Sequence, residues 1–175
     1  IRVGLELAGN TRNLALFNTA LDSMLRGCDL VKLKVSDVCK GGRVQNRALI
    51  LQKKTKQPVK FAINENTKKS LQKWIDEAGL KSDDYLFQSR IRSSPHISTR
   101  QYGKMVNDWV ECIGLDVAEY GTHTMRRTKA TLVYRETKNL RMVQLLLGHT
   151  KIESTVYYLG IEVDDALDVS EQIDI

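Results

Sequence analysis

The chain has 175 residues, which is enough for one domain with its own hydrophobic core. Its apolar (42%) and charged (27%) fractions are those of an ordinary globular protein, and no apolar run approaches the ~20 residues that a membrane span needs. The net charge of +6 is unevenly distributed: residues 160–175 hold six acidic and no basic side chains, so all 27 basic but only 15 of the 21 acidic residues precede them. Such a basic body suggests a polyanionic partner, most often nucleic acid; the alternative is a solvated basic surface without a partner.

The cysteines argue against a disulfide scaffold and against a zinc site. Cys28, Cys39 and Cys112 are odd in number and show no CxxC spacing. They are typical of reduced thiols in a cytosolic protein. No metal or other cofactor is expected.

The first half of the chain predicts a helix, a group of strands and a second helix. Residues 13–25 place apolar side chains at helical spacing. Two or three antiparallel strands are predicted in 31–38, 47–52 and 58–63, which alternate or run apolar and are separated by KGGR and KKTKQ. A helix over 67–78 follows.

The second half predicts helices throughout. They cover about 98–113, 125–135, 139–147 and 152–158, and an acidic amphipathic tail helix follows with its apolar stripe between 163 and 173. That stripe must be buried on its own body or on a neighbouring molecule. We therefore expect an α+β fold that is mostly helical, with a small two- or three-stranded antiparallel sheet in the N-terminal half.

Four side chains near the end of the chain suit chemistry on a phosphodiester. His123 and Arg126 are three residues apart and share one face of a helix. His149 follows a helix that ends at a glycine, and Tyr158 comes nine residues later. Arginine binds phosphate oxygens bidentately, histidine moves protons and tyrosine attacks phosphorus.

Five short motifs occur in a fixed order: LRGCDL at 25–30, KKTK at 53–56, HTMR at 123–126, LGH at 147–149, and a tyrosine nine residues after that histidine. With them the chain resembles the catalytic domain of the tyrosine recombinases, the phage integrase family, over nearly its whole length. The resemblance implies an integrase-type fold and a set of catalytic residues, namely Arg26, Lys54, His123, Arg126, His149 and Tyr158.

Three positions depart from the family pattern or leave a choice open. Asp29 stands where the family usually has glutamate, and Arg127 follows the HxxR motif where many members have histidine. Lys54 is favoured as the catalytic lysine, with Lys53 and Lys56 as alternatives. We also expect Lys53, Lys56, Arg127 and Lys129 to contact DNA phosphates.

The resemblance also implies a mechanism. The two arginines clamp the phosphate and His149 adds a hydrogen bond. His123 takes the proton of Tyr158, and the lysine protonates the leaving 5′ oxygen. The product is a 3′-phosphotyrosyl link that is rejoined without ATP or metal. Tyr157, the neighbour of the nucleophile, is expected to be the tyrosine that faces the core.

The function that the resemblance implies is that of a site-specific DNA recombinase or integrase, and two rival functions stand beside it. One is a type IB topoisomerase-like activity that nicks and closes DNA without exchanging partners, and the other is a catalytically idle DNA-binding module. We expect one catalytic domain over 1–175 with a tail helix in 160–175 and no N-terminal core-binding domain. Double-stranded DNA is the expected partner, bound by a homo-tetramer assembled through the tail. The expected location is the cytoplasm, in association with the nucleoid, for a protein of bacterial or phage origin, and no membrane partner is expected.

Overall fold

The computed structural model describes residues 1–90, 94–161, 170 and 171. Helices form most of the regular structure in these residues. Their bounds are α1 Arg2–Leu7, α2 Thr11–Ser23, α3 Gly27–Leu30, α4 Val35–Val38, α5 Glu65–Ala78, α6 Thr99–Glu111, α7 Thr122–Thr137, α8 Leu140–Leu147 and α9 Glu153–Leu159. The predicted tail helix falls mostly outside the described residues.

Two small antiparallel sheets lie between α4 and α5. Strands β1 (Cys39–Lys40) and β2 (Arg43–Val44) form the first, and β3 (Arg47–Leu51) and β4 (Pro58–Ala62) form the second. In the second sheet Ile50 is opposite Val59, so the chain between the strands forms a hairpin turn that carries the three candidate lysines. The prediction of a mostly helical fold with a small antiparallel sheet is confirmed, although the strands form two sheets.

The strand predicted over 31–38 is wrong. Residues 35–38 form the short helix α4, and Lys34 makes only an isolated bridge to Tyr85. The Asp37 carboxylate accepts the backbone N–H of Lys34 at 2.8 Å, which closes a helical turn. Asp and Ser side chains compete in this way with strand pairing, and the alternating apolar pattern did not reveal it.

Helix α2 is the centre of the core. Ala15 and Leu16 are fully buried in it, and the helix packs against α5, α7 and β4. A second, smaller apolar cluster lies where α7 and α8 meet the end of α2, and consists of Met24, Ala130, Val143 and Leu147. This second cluster supports the ends of the elements that carry the candidate site.

Asp22 connects three helices near that same end of α2. Its carboxylate accepts the backbone N–H of Asn64 at 2.9 Å, the hydroxyl of Thr67 at 2.5 Å and the ammonium of Lys129 at 2.7 Å. It thereby accepts hydrogen bonds from donors at the start of α5 and forms an ion pair with α7.

Among the described helices, none is long and apolar enough to cross a membrane.

Candidate active site

Arg26 enters the site from the turn between α2 and α3. Met24 adopts the left-handed conformation (φ 50°) at the end of α2, which redirects the chain two residues before Arg26. The Arg26 side chain is half-buried, and its Nη1 donates to Gln52 Oε1 at 2.5 Å. Three residues later Asp29 is buried, and its Oδ1 accepts the backbone N–H of Lys53 at 2.9 Å. The first motif therefore places an arginine in the site and a carboxylate against the lysine turn.

The lysine turn, residues 52–57, joins β3 to β4. Gln52 N–H donates to Gln57 O at 3.0 Å, and Lys56 N–H donates to Gln52 O at 2.9 Å. Lys56 itself has a positive φ of 55°, which closes the turn tightly. The side chains of Lys53, Lys54 and Lys56 are exposed, so the turn presents three ammonium groups to solvent.

Arg126 is the most deeply buried cation of the site. It lies on the first turns of α7, is 2% exposed, and its Nη2 donates to the carbonyl of Leu147 at 2.8 Å. Its Nε and Nη1 are buried without a hydrogen-bond partner. Burial lowers the pKa of Arg126 to about 10, and the nearby charge of Arg26 acts in the same direction. Two unsatisfied donors on a buried cation are costly unless an anion accepts them, which fits a phosphate.

His149 has a different partner on each ring nitrogen. Its Nε2 lies 3.4 Å from Arg126 Nη2, and its Nδ1 lies 3.1 Å from the hydroxyl of Thr155, which is fully buried. Because arginine only donates, we assign the proton of the neutral ring to Nδ1. Burial, together with Arg126 and Arg26, lowers the pKa of His149 to about 4, so the ring is neutral near pH 7 in this state.

Gly148 allows α8 to approach the hairpin closely. It ends α8 in the left-handed conformation (φ 64°). A Cβ there would overlap Val59 Cγ2 and lie 3.1 Å from both polar side-chain atoms of Gln52. Glycine is therefore required at this position both by its conformation and by the space available.

Tyr158 completes the site from α9. Its ring is half-buried, meets the His149 ring edge to face at 5.6 Å, and lies 5.7 Å from Arg126 Cζ. Its hydroxyl donates to the backbone carbonyl of His123 at 3.2 Å. Burial raises the pKa of Tyr158, while Arg126, Arg127 and Arg26 oppose that shift. The phenol is therefore held protonated beside the group of cations.

Comparison with known proteins identifies the arrangement. Residues 6–163 match the model of the "Phage integrase family". The chain belongs to the phage integrase family. It is 31% identical over 155 residues to the "Probable integrase/recombinase YoeC" of Bacillus subtilis (strain 168), covering 89% of this chain and 81% of that protein. It is 28% identical to the "Tyrosine recombinase XerC" of Caldanaerobacter subterraneus subsp. tengcongensis, covering 86% of this chain but only 42% of that protein.

Solved structures share the fold of this phage integrase family member. The crystal structure of XerA recombinase superposes with a TM-score of 0.77 at 23% identity, covering 98% of this chain and 61% of that one. The XerH recombinase bound to its difH substrate gives 0.72 at 22% identity, covering 91% and 46%. The chain thus corresponds to a tyrosine recombinase catalytic domain, as its motifs predicted, and spans about half the length of several relatives.

The remaining residues that the sequence predicted for this tyrosine recombinase domain differ in how exposed their side chains are. His123 and Arg127 are exposed on the first turns of α7, next to Tyr158. Lys129 is turned toward the interior, where its ammonium pairs with Asp22. The expectation that Tyr157 faces the core is wrong: its side chain is 89% exposed. Tyr158 takes the inner position, where its ring contacts His149 and Arg126.

Two residues of the site were not anticipated from the sequence. Gln52 and Thr155 are both fully buried and hydrogen-bond to Arg26 and His149, respectively. Gln52 had a detectable signal, because it continues the inward positions of β3, where Ala48 and Ile50 are apolar. A polar residue at the next inward position indicates a buried hydrogen-bond network. Among the described residues, no cluster of His, Cys, Asp and Glu side chains is suited to hold a metal ion.

Proposed function

We propose that this chain cleaves and rejoins double-stranded DNA through a covalent link between Tyr158 and a 3′ phosphate, without metal or ATP. The observation that carries the proposal is the guanidinium of Arg126, which lies beside Arg26, His149 and Tyr158 and whose buried Nε and Nη1 lack acceptors. A scissile phosphate would supply acceptors to both free donors once the guanidinium, which is buried in the free protein, turns toward it. Family membership and the DNA-bound relative XerH support the same reading.

In the proposed reaction the phenol oxygen of Tyr158 attacks phosphorus and the 5′ oxygen leaves. Negative charge grows on the non-bridging oxygens, and in our proposal Arg26 and Arg126 stabilise it. The incoming phosphate also favours the protonated form of His149, which then donates a hydrogen bond from Nε2. His123 accepts the phenol proton, and a lysine of the turn, Lys54 in our proposal, protonates the leaving oxygen.

A covalent trap tests the proposal. The protein is incubated with a pool of end-labelled, nicked duplexes of random sequence, quenched in detergent and examined for a protein–DNA adduct. We expect adducts with the wild type and with Tyr157→Phe, the matched control whose ring is exposed. We expect none with Tyr158→Phe, and no effect of a chelator.

Three results would contradict the proposal. An adduct that persists in Tyr158→Phe would assign the nucleophile elsewhere, and one that disappears in chelator would show a metal requirement. DNA binding without any adduct in the wild type would favour the idle DNA-binding module. A fourth result, plasmid relaxation without exchange of strands between duplexes, would keep the covalent step and favour the topoisomerase-like alternative over recombination.

We further propose that the domain acts as a homo-tetramer on DNA, assembled through the acidic tail. The supporting feature is the sequence of residues 160–175, which combines six acidic side chains with an apolar stripe. Deletion of residues 163–175 is expected to weaken assembly on DNA more than it weakens DNA binding by single subunits. Sedimentation and band-shift titrations separate the two effects, and an equal loss of both contradicts the idea.

A further inference from the structure

Gln52 lies where the lysine turn, Arg26, the C-terminal end of α8 and Arg126 come together. It follows β3 at the root of the lysine turn, and its side chain is completely buried. Its backbone closes that turn through Gln57 O and Lys56 N–H. The absent Cβ of Gly148 leaves room for its amide against the end of α8.

The amide of Gln52 joins the two arginines through a continuous chain of hydrogen bonds. Its Oε1 accepts Arg26 Nη1 at 2.5 Å, and its Nε2 donates to the carbonyl of Leu147 at 3.2 Å. That carbonyl also accepts Arg126 Nη2 at 2.8 Å. A further bond from the hydroxyl of Thr55 to Oε1, at 2.8 Å, ties in the lysine turn.

Only a neutral amide can make this set of bonds. One end must accept from a cation and the other must donate to a carbonyl, which a carboxylate cannot do. An apolar side chain here would deprive the Arg26 guanidinium and the Leu147 carbonyl of one hydrogen-bond partner each. Arg26 and Arg126 also repel each other, so a fixed tie between them opposes their separation before a phosphate arrives.

We propose that Gln52 is a positioning residue that holds Arg26 and Arg126 at the spacing of a phosphate clamp and couples that clamp to the lysine turn. This inference deepens the proposed function and rests on it. Gln52 touches no reacting atom and acts through the arginines. Nothing in the catalytic motifs themselves requires the residue at this position.

The kinetic test uses Gln52→Met, which keeps the length of the side chain and removes both hydrogen-bonding ends. Asn18→Leu is the matched control, because Asn18 is a 1% exposed amide that likewise accepts from an arginine, Arg2, and donates to a hydroxyl, that of Ser70. We expect Gln52→Met to slow single-turnover adduct formation roughly ten- to a hundredfold, while the Kd for DNA changes less than about threefold. Asn18→Leu should lower thermal stability comparably but leave the rate within about threefold of wild type. Equal rate losses in the two variants would reduce Gln52 to a stability role.

A second measurement does not depend on cleavage. Nitrogen-15 NMR of the arginine side chains in the free protein should show resolved Nη signals for Arg26 and Arg126, because bound guanidinium groups rotate slowly. The Arg26 signals should collapse in Gln52→Met and persist in Gln52→Glu, which keeps the acceptor. Persistence in Gln52→Met would overturn the inference. If the wild type forms no adduct but these signals respond as expected, the positioning role stands and the proposed reaction falls.

Discussion

His149 carries different charges in the free protein and in the proposed reaction. In the free protein, burial and two arginines lower its pKa from the ordinary 6.5 to about 4. The proposed reaction uses it as a donor to a phosphate oxygen, whose negative charge favours the protonated ring. The hydroxyl of Thr155 serves either form, since it accepts from Nδ1–H in the neutral and in the charged ring. The histidine is thus suited to become charged only when phosphate is bound.

The lowered pKa of His149 predicts a pH dependence of stability in the absence of DNA. Between pH 4 and 6.5 the unfolded chain binds a proton at this ring that the folded chain does not. The contribution of His149 to the free energy of unfolding is therefore fully present above pH 6.5 and is lost as the pH falls toward 4. We expect His149→Gln to remove about 1 kcal/mol of that dependence, after allowing for solvent screening of a half-buried ring. Urea unfolding across this pH range measures it, with His123→Gln as the control. Parallel curves for wild type and His149→Gln would contradict the assignment.

Sequence motifs named the titratable residues of the candidate site and missed the buried amide and hydroxyl groups that hold two of them. Arg126, His149 and Tyr158 contact one another as their spacing suggested. The pattern of β3 marks Gln52 as an inward position, but the partners of Gln52 and Thr155 are set by tertiary contacts, which one strand or one short helix does not encode by itself. Which tyrosine of the pair faces inward was likewise decided by the packing of α9.

At the scale of elements, segments with a sustained pattern were predicted more accurately than very short ones. Strands β3 and β4 lie within one residue of their predicted bounds, whereas the short helices α3 and α4 were not predicted. Helix α5 was expected over 67–78 and runs over Glu65–Ala78, because its apolar stripe repeats over several turns and Gly79 ends it. The segment 31–38 is short, and its alternating pattern could also be satisfied by a turn of helix with buried Val35 and Val38. Short apolar runs do not distinguish these two structures.

The close packing of α8 on the hairpin predicts an unequal cost of two glycine substitutions. Gly79 and Gly148 both end helices with positive φ, at 61° and 64°. A Cβ at Gly79 meets nothing within 4 Å, whereas one at Gly148 overlaps Val59. Gly79→Ala should therefore cost about 1 kcal/mol of stability from backbone strain alone. Gly148→Ala should cost about 2 kcal/mol more, because the hairpin must move away from α8.

Chemical denaturation of both glycine variants measures the difference, and cleavage assays follow its consequence. Displacement of the hairpin shifts Gln52, which lies 3.1 Å from the added atom. Gly148→Ala should therefore also slow adduct formation, while Gly79→Ala should not. Equal destabilisation by the two substitutions would mean that the contact with Val59 relaxes without cost.

At the scale of the whole molecule, the positive charges divide between those that stabilise the fold and those available to DNA. Lys129 belongs to the first group, since its ammonium lies 2.7 Å from Asp22 and its side chain is only 23% exposed. Arg127, two residues earlier on α7, is exposed beside Tyr158. The two residues are close in sequence, and both were expected to contact phosphate from the sequence alone. Their different environments give that expectation a direct test.

The salt dependence of DNA binding distinguishes the two residues. Each phosphate neutralised by the protein contributes about 0.9 to the slope of log affinity against log salt. Arg127→Met should lower that slope by about one and leave thermal stability nearly unchanged. Lys129→Met should leave the slope unchanged and cost about 2 kcal/mol of stability, because Asp22 loses its cation while nearly buried. Band-shift titrations at several salt concentrations, with thermal unfolding of the same samples, measure both quantities.

If Lys129→Met lowered the slope as much as Arg127→Met, Lys129 would have to leave Asp22 for a phosphate. DNA binding would then loosen the junction of α2, α5 and α7.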